Sequence, residues 1–296
     1  MDVNKRHTVF GLGEVLWDIL PEGKQLGGAP ANFATFAGAL GTQAFVVSRV
    51  GEDELGDETL CRLSQNGLET GFVSRDTEYE TGKASVEVDA DGVPGFVIHA
   101  PAAWDFLLAD GELLEKMGKA SAVCFGTLGS RNEISKKAIQ KMMKAVPEGA
   151  LGVLDLNLRK PFYNKVIIRE CLELANVLKL NDEELDMVST FLDMEGDESN
   201  KLKTLQKRFD LKAIALTKGA NGSLLLRGDE VSEHPGIKTE VCDTIGAGDS
   251  FTAALVVGLL EGLELDVIHD RAARLASYVC SCQGATPRLP EGFYWE

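Results

Sequence analysis

The chain is predicted to fold as an α/β protein, a mostly parallel sheet with helices on both faces plus a small β-lid. Three observations predict it. Short apolar segments alternate with helix-length segments along most of the chain, and strands separated by helices build parallel sheets covered on both sides. Residues 81–100 break that rule, with two alternating runs about an Asp91-Gly92 turn; such a hairpin has no place inside a parallel sheet. No Pro/Ser-rich linker, low-complexity tract or repeat divides the sequence. The expectation is one domain over 1–296, its lid formed mainly by about 81–106 with a contribution from about 12–26.

The elements follow in order. Residues 8–12 read as a strand. After a Gly-rich loop, Phe33, Phe36, Ala37 and Leu40 recur at helical spacing, and Gly41 stands as a C-cap. Residues 44–50 read as a strand and 55–66 as a helix ending at Gly67. The same pair returns at 122–126 with 133–146, at 151–156 with 166–175, and at 177–180 with a helix beginning near Asp182. Residues 213–217 form another short apolar strand, and helices over 247–261 and 265–282 end the chain. In the hairpin, Val86 and Val88 alternate with polar residues before the turn, as do Phe96 and Ile98 after it.

Composition excludes several function classes. The 30 Lys+Arg against 46 Asp+Glu leave a net charge of −16, a surface that repels nucleic-acid phosphates, with no basic run to offset it. Nucleic acid is therefore not an expected partner, although one pocket of backbone amides and a few cations suffices for a phosphorylated small molecule. At 44% hydrophobic and 26% charged the chain is no disordered polymer. Its longest apolar run, 253–260, falls far short of the ~20 residues a bilayer requires, so no membrane partner is expected. The start has no apolar signal-peptide core. Cys61, Cys124, Cys171, Cys242, Cys280 and Cys282 lack framework or metal spacing, as do the four histidines. Reduced thiols in a cytoplasmic protein are the expectation.

Several motifs fail. Gly11-Leu12-Gly13 follows a strand, but Leu16 stands where a dinucleotide fingerprint needs its third glycine. No Gly-Lys pair is followed by Ser or Thr, and there is no G-x-S-x-G elbow. The strongest local pattern is Asp243-Thr244-Ile245-Gly246-Ala247-Gly248-Asp249-Ser250-Phe251, running straight into an apolar helix. Small residues at a helix start leave its N–H groups bare, and with the helix dipole they form an anion site. Asp249 in that first turn reads either as a capping carboxylate or as a general base for an attacking hydroxyl. The second pattern is Leu26-Gly27-Gly28-Ala29-Pro30-Ala31-Asn32, preceded by Asp18. Adjacent glycines read as a turn or as a close backbone approach to a ligand, with Asp18 and Asn32 suited to sugar hydroxyls.

These two segments, in this order near the two ends of the chain, resemble the paired signatures of the ribokinase family, also called the phosphofructokinase-B family. Between them, Asp155-Leu156-Asn157-Leu158-Arg159 after a strand, Asn181-Asp182-Glu183-Glu184 as an N-x-x-E motif, and Thr217-Lys218-Gly219-Ala220-Asn221-Gly222 as a T-x-G-x-x-G loop resemble family motifs in the family's order. The likeness covers essentially the whole chain and is nearest to the fructokinase branch. It implies a ribokinase-like fold and an ATP-dependent sugar kinase, most directly one converting fructose to fructose 6-phosphate. Ribokinase, 2-keto-3-deoxygluconate kinase, nucleoside kinase and a non-catalytic sugar- or nucleotide-binding relative stay open.

The resemblance also implies roles. Asp249 would be the base, and the amides of Gly246, Ala247 and Gly248 the anion hole. Asp18, Gly28 and Asn32 would grip the sugar, with Gly27 serving the turn. Arg159 would reach sugar or phosphates, or else form a surface ion pair. Asn181 and Glu184 would organise Mg2+ and the ATP phosphates, largely through water, unless they merely cap a helix; Glu183 is the neighbouring alternative. Thr217, Gly219 and Gly222 would line the nucleotide, with Lys218 adding a cation or pointing to solvent. Asp243 and the Ile245 carbonyl would begin a monovalent-cation (K+) site with Gly284-Ala285 on its far side. Phe96, Ile98 and Trp104 would contact the sugar from the lid, form the lid's core, or face a second subunit in a homodimer paired through the lid.

Overall fold

The computed structural model describes residues 7–21, 23–88, 94–290 and 293, with 87–88 and 94–96 described by their backbone. Thirteen strands are present among them: β1 (Thr8–Leu12), β2 (Leu16–Leu20), β3 (Gly23–Gly27), β4 (Gln43–Gly51), β5 (Val73–Asp76), β6 (Gly82–Val88), β7 (Pro94–Ile98), β8 (Ala122–Phe125), β9 (Leu151–Asp155), β10 (Val177–Asn181), β11 (Ala213–Thr217), β12 (Ser223–Arg227) and β13 (Glu230–His234). The helices are α1 (Ala29–Ala39), α2 (Glu54–Gln65), α3 (Gly111–Met117), α4 (Glu133–Ala145), α5 (Lys165–Glu173), α6 (Asp182–Phe191), α7 (Glu198–Phe209), α8 (Ala247–Leu260) and α9 (Leu265–Cys280).

The large sheet has the order β13-β12-β11-β10-β9-β8-β1-β4-β5. From β11 to β5 every pairing is parallel, while β12 and β13 join antiparallel at one edge. Its inner strands are apolar on both faces because both faces are covered. Successive residues divide between two cores: Phe10, Leu154, Leu178 and Ile214 pack with α3 to α7, whereas Val9, Val153, Val177 and Ala213 pack with α1, α8 and α9. Helix α8 has no polar face over Ser250–Gly258, which is buried throughout, as expected of a helix lodged between other elements.

The smaller sheet, β3-β2-β6-β7, contains the expected hairpin and two further strands. Strand β2 pairs antiparallel with β3 and parallel with β6, so Asp18 stands between Gln25 and Ala84. The Asp91-Gly92 turn lies outside the described residues. Trp17 of β2 is fully buried, and its indole N–H donates to Thr59 Oγ1 of α2 at 2.9 Å, pinning the small sheet to the large one's flank. Trp104 also has an inward place rather than one on a subunit face. It is fully buried in a short 3-10 turn with Ala102 and Leu128, and Ile98 packs on that group. The Arg131 guanidinium stacks 3.8 Å over its ring and pairs with Asp105 at 2.7 Å. A Cβ at Gly82 would run into the Trp104 indole, which explains the glycine there.

Four pieces were absent from the sequence-based expectation: β5, the β12–β13 edge, helix α3 and helix α7. In α7 only Leu202 and Leu205 are buried, too short an apolar stripe to register as periodic.

Candidate active site

The carboxyl ends of parallel strands open into loops, and in open α/β sheets ligands bind there. Here a cavity of about 600 Å³ lies at those ends, beneath the smaller sheet. Its lining includes Glu14 from the loop after β1, Asp18 of β2, Gly27 and Gly28 before α1, Asn32 of α1, and Ile98 of β7. Arg159 and Lys160 after β9, Lys179 of β10, and Ile245, Gly246, Gly248 and Asp249 at the start of α8 also line it.

The two glycine turns meet through a side-chain hydrogen bond. Asn32 Nδ2 donates to Asp249 Oδ2 at 2.8 Å, joining residues far apart in the chain. Helix α8 is capped by Gly246 at φ +81, and a Cβ there would run into the Ala285 carbonyl. Asp249 is not the cap. Burial, and then the Asp155 charge, push its carboxyl up to about 6, against the Asn32 bond and the charges of Lys179 and Arg159. The N–H groups of Gly246 and Gly248 have no acceptor among the described residues, whereas the Ala247 N–H donates to the Thr244 carbonyl over a long 3.3 Å. Two of the three expected anion-hole amides are thus unengaged.

Gly28 has φ +114, and a Cβ on it would press on the Glu14–Val15 backbone. Gly27 does more than serve the turn: a Cβ there would sit 2.9 Å from Asp18 Oδ2, so the glycine makes room for that carboxylate. Burial raises Asp18 to about 6, with the Arg159 charge opposing. Arg159 is exposed and donates, at a long 3.4 Å, to the Leu158 carbonyl.

The remaining expected residues stand on neighbouring strand ends rather than on the cavity wall. Asn181 and Glu184 form a reciprocal capping box at the start of α6. One Glu184 oxygen accepts from the Asn181 N–H at 2.9 Å and the other from the Leu158 N–H at 2.8 Å. That carboxylate therefore ties the loop after β9 to α6, and Glu183 is exposed. Thr217 closes β11, and Gly219 (φ +52) and Gly222 (φ +88) shape the following turn. Lys218 pairs with Glu198 at 2.9 Å instead of pointing free. Asp243 Oδ1 accepts from the Ile245 N–H at 3.0 Å and Oδ2 from the Gly284 N–H at 3.2 Å, so this group of residues does converge. The Phe96 side chain lies outside the described residues.

Four further residues belong to the site or its floor: Asp155 opens one of the quoted motifs without a role of its own, and Lys179, Thr252 and Glu14 were given no role in the sequence. Lys179 is buried and pairs with Asp155 Oδ1 at 3.1 Å, while Thr252 Oγ1 donates to Asp155 Oδ2 at 2.9 Å. Burial alone would lower Lys179; the Asp155 carboxylate, with Glu184 and Asp249, outweighs it and holds the ammonium well protonated. Its Nζ lies 2.9 Å from where a Gly248 Cβ would stand. The fourth is Glu14. Its one sequence signal was an acid placed just past the first strand.

An α/β fold with a strand-end cavity, in which a half-buried carboxylate adjoins unengaged amides at a helix start, defines a class of small-molecule site. Residues 22–292 match the model of the pfkB family carbohydrate kinases, and the chain belongs to that family. Its fold is ribokinase-like. An uncharacterized sugar kinase from Pyrococcus horikoshii, whose structure is in complex with ATP, superposes with a TM-score of 0.80 at 26% identity over 95% of each chain. The Escherichia coli fructokinase is 28% identical over 300 residues, 95% of this chain and 96% of its own. The 2-dehydro-3-deoxygluconokinase of Thermotoga maritima shares the fold, with a TM-score of 0.82 at 20% identity over 96% of each chain.

Proposed function

We propose that the protein transfers the γ-phosphate of ATP to a hydroxyl of a neutral sugar, with fructose giving fructose 6-phosphate as the leading reaction. The observation that carries this reading is Asp249: a half-buried carboxylate held by Asn32 beside unengaged amides of Gly246 and Gly248, and raised to about 6 by desolvation. At neutral pH it is ionised yet basic enough to take a proton. In the proposed step, Asp249 accepts the proton of the attacking hydroxyl as its oxygen bonds to phosphorus, and ADP departs with the electrons of the broken P–O bond. The glycine amides stabilise charge on the transferring group, the largest contribution a protein makes to phosphoryl transfer. Asp18, Gly28 and Asn32 orient the sugar, and Arg159 offers its planar fork to sugar or phosphate oxygens.

Thr217, Gly219 and Gly222 are assigned to the nucleotide by likeness to the family and by their place on the strand end next to the cavity. Mg2+, when bound, neutralises phosphate charge; Glu184, with each oxygen already accepting from an amide, suits an indirect, water-mediated role. Asp243, converging with Ile245 and Gly284, suits a monovalent cation. The four-stranded sheet is proposed as a lid that excludes water from the transfer, within one catalytic unit. Its exposed Ile19 and Val97, which share one face through Ser85, are the proposed face for pairing with a second copy. Six unpaired cysteines favour a cytoplasmic setting.

The test is ADP release with Mg-ATP across fructose, ribose, 2-keto-3-deoxygluconate, adenosine and fructose 6-phosphate, with and without potassium. Selective turnover of fructose is expected. Preference for another acceptor would overturn the substrate, and no turnover on any of them would overturn the reading.

A further inference from the structure

A second cavity, of about 350 Å³, runs along β3, the edge strand of the smaller sheet, between it, α1, α2 and the loop after α9. Its size is within the range of small-molecule sites. Lys24 of β3 and Arg62 of α2 are its cations, and no carboxylate is among the described residues that line it. On a chain with a net charge of −16, such a lining is unlike the rest of the surface.

The two cations are held in place from different elements. Lys24 Nζ and the Arg62 guanidinium stand 5.0 Å and 5.4 Å from the Trp17 ring centroid, and both pair with Glu58, at 2.5 Å and 2.8 Å. Glu58 sets one negative charge against their two, so the group stays positive. An ammonium has three N–H groups and a guanidinium five, and one carboxylate cannot engage them all. Beside them, Gln25 Nε2 is buried without a hydrogen-bond partner. It lies 3.2 Å from where a Gly284 Cβ would stand, a space left by the glycine. A buried donor left unpaired costs free energy that an incoming acceptor recovers. Asn66 Nδ2 reaches Thr286 Oγ1 only over a long 3.4 Å, a pair that a hydroxyl could join.

This cavity adjoins the first without sharing its charges. Asn32 lines both, whereas Arg159, Lys160 and Lys179 line only the first. The nearest carboxylates face elsewhere: Asp18, the cross-strand partner of Gln25, lines the first cavity, and Asp243 accepts from the Ile245 and Gly284 N–H groups.

We propose that this second cavity is a binding site for a phosphate group carried on a small polyhydroxy compound. The phosphate accepts from Lys24, Arg62 and the Gln25 amide; three separate donors suit its three oxygens better than the two of a carboxylate. The hydroxyls meet Asn66 and Thr286. The assignment holds whatever reaction the first cavity performs.

The test is calorimetric titration of fructose 6-phosphate and of inorganic phosphate into wild type, Glu58→Gln, Lys24→Gln combined with Arg62→Gln, and Arg159→Gln. Wild type should bind fructose 6-phosphate more tightly than inorganic phosphate. Loss of both cations should weaken that binding by about tenfold or more. Glu58→Gln, which removes the competing charge, should tighten it several-fold, a change that damage to the fold would not produce. Arg159→Gln should leave this binding in place. Affinity indifferent to Lys24, Arg62 and Glu58, or no binding by wild type, would overturn the site. Loss of all binding in Arg159→Gln alone would place the phosphate in the first cavity and overturn it too. Equal affinity for inorganic phosphate would overturn the polyhydroxy part of the assignment.

Discussion

Asp155, buried, and Asp249, half-buried at the cavity wall, are both carboxylates near the ends of the central strands that interact with the charge of Lys179, yet the protein treats them in opposite ways. Asp155 has each oxygen engaged, one by Lys179 and one by Thr252. Asp249 has one donor, Asn32, and is pushed up by burial and by Asp155 itself. Glu14 and Asp18 share the condition of Asp249, raised mainly by burial. The paired centre fixes β9, β10 and α8 relative to one another. The underpaired centre contributes the single Asn32–Asp249 bond between α1 and α8, and its unmet hydrogen-bonding capacity is what a ligand can use. Satisfaction of buried charge thus separates scaffold from site in the same cavity.

The largest effect expected from breaking this contrast is on turnover. Asp249→Asn keeps the shape and can still accept from Asn32, but it cannot take a proton; kcat should fall by about 10²–10⁴-fold with ATP binding retained, as measured by ADP release and calorimetry. The opposite signature is expected from the paired centre. Lys179→Met leaves the Asp155 charge buried without its cation and should lower unfolding free energy by about 3–5 kcal/mol, read from the denaturant midpoint.

How legible this was in the sequence follows from the range of each interaction. Asp249 with Gly246 and Gly248 was legible because bare glycines, helix start and carboxylate are contiguous, and the same holds for Gly27, Gly28 and Asn32. The Asn181–Glu184 box was legible as a spacing, but the second bond of Glu184, to Leu158, depends on strand order. Asp155 opened a motif and Lys179 preceded another, neither with a role of its own; only β9 lying beside β10 makes them a pair. Glu14 was invisible for the same reason, since its meaning lies in being buried and unpartnered. In the fold, the apolar central strands were plain, while β2 and β3, equally short but carrying polar residues, were visible only as a contribution to the lid. The β12–β13 edge was missed because β13 alternates with one inward residue, Ser232.

The central claim, that the site carboxylates are kept charged at the expense of stability, has a signed pH dependence. Asp249 is raised from 3.8 to about 6, so the folded state gains from its protonation at low pH. That gain is lost as pH rises from about 4 through about 6. Asp249→Asn carries no such loss. The measurement is the unfolding free energy of wild type and Asp249→Asn from pH 4 to pH 8. The stability of the variant relative to wild type should rise by on the order of 2–3 kcal/mol between pH 4 and pH 6 and stay level above. A difference that is flat with pH, or one that moves in favour of wild type as pH rises, would contradict the account.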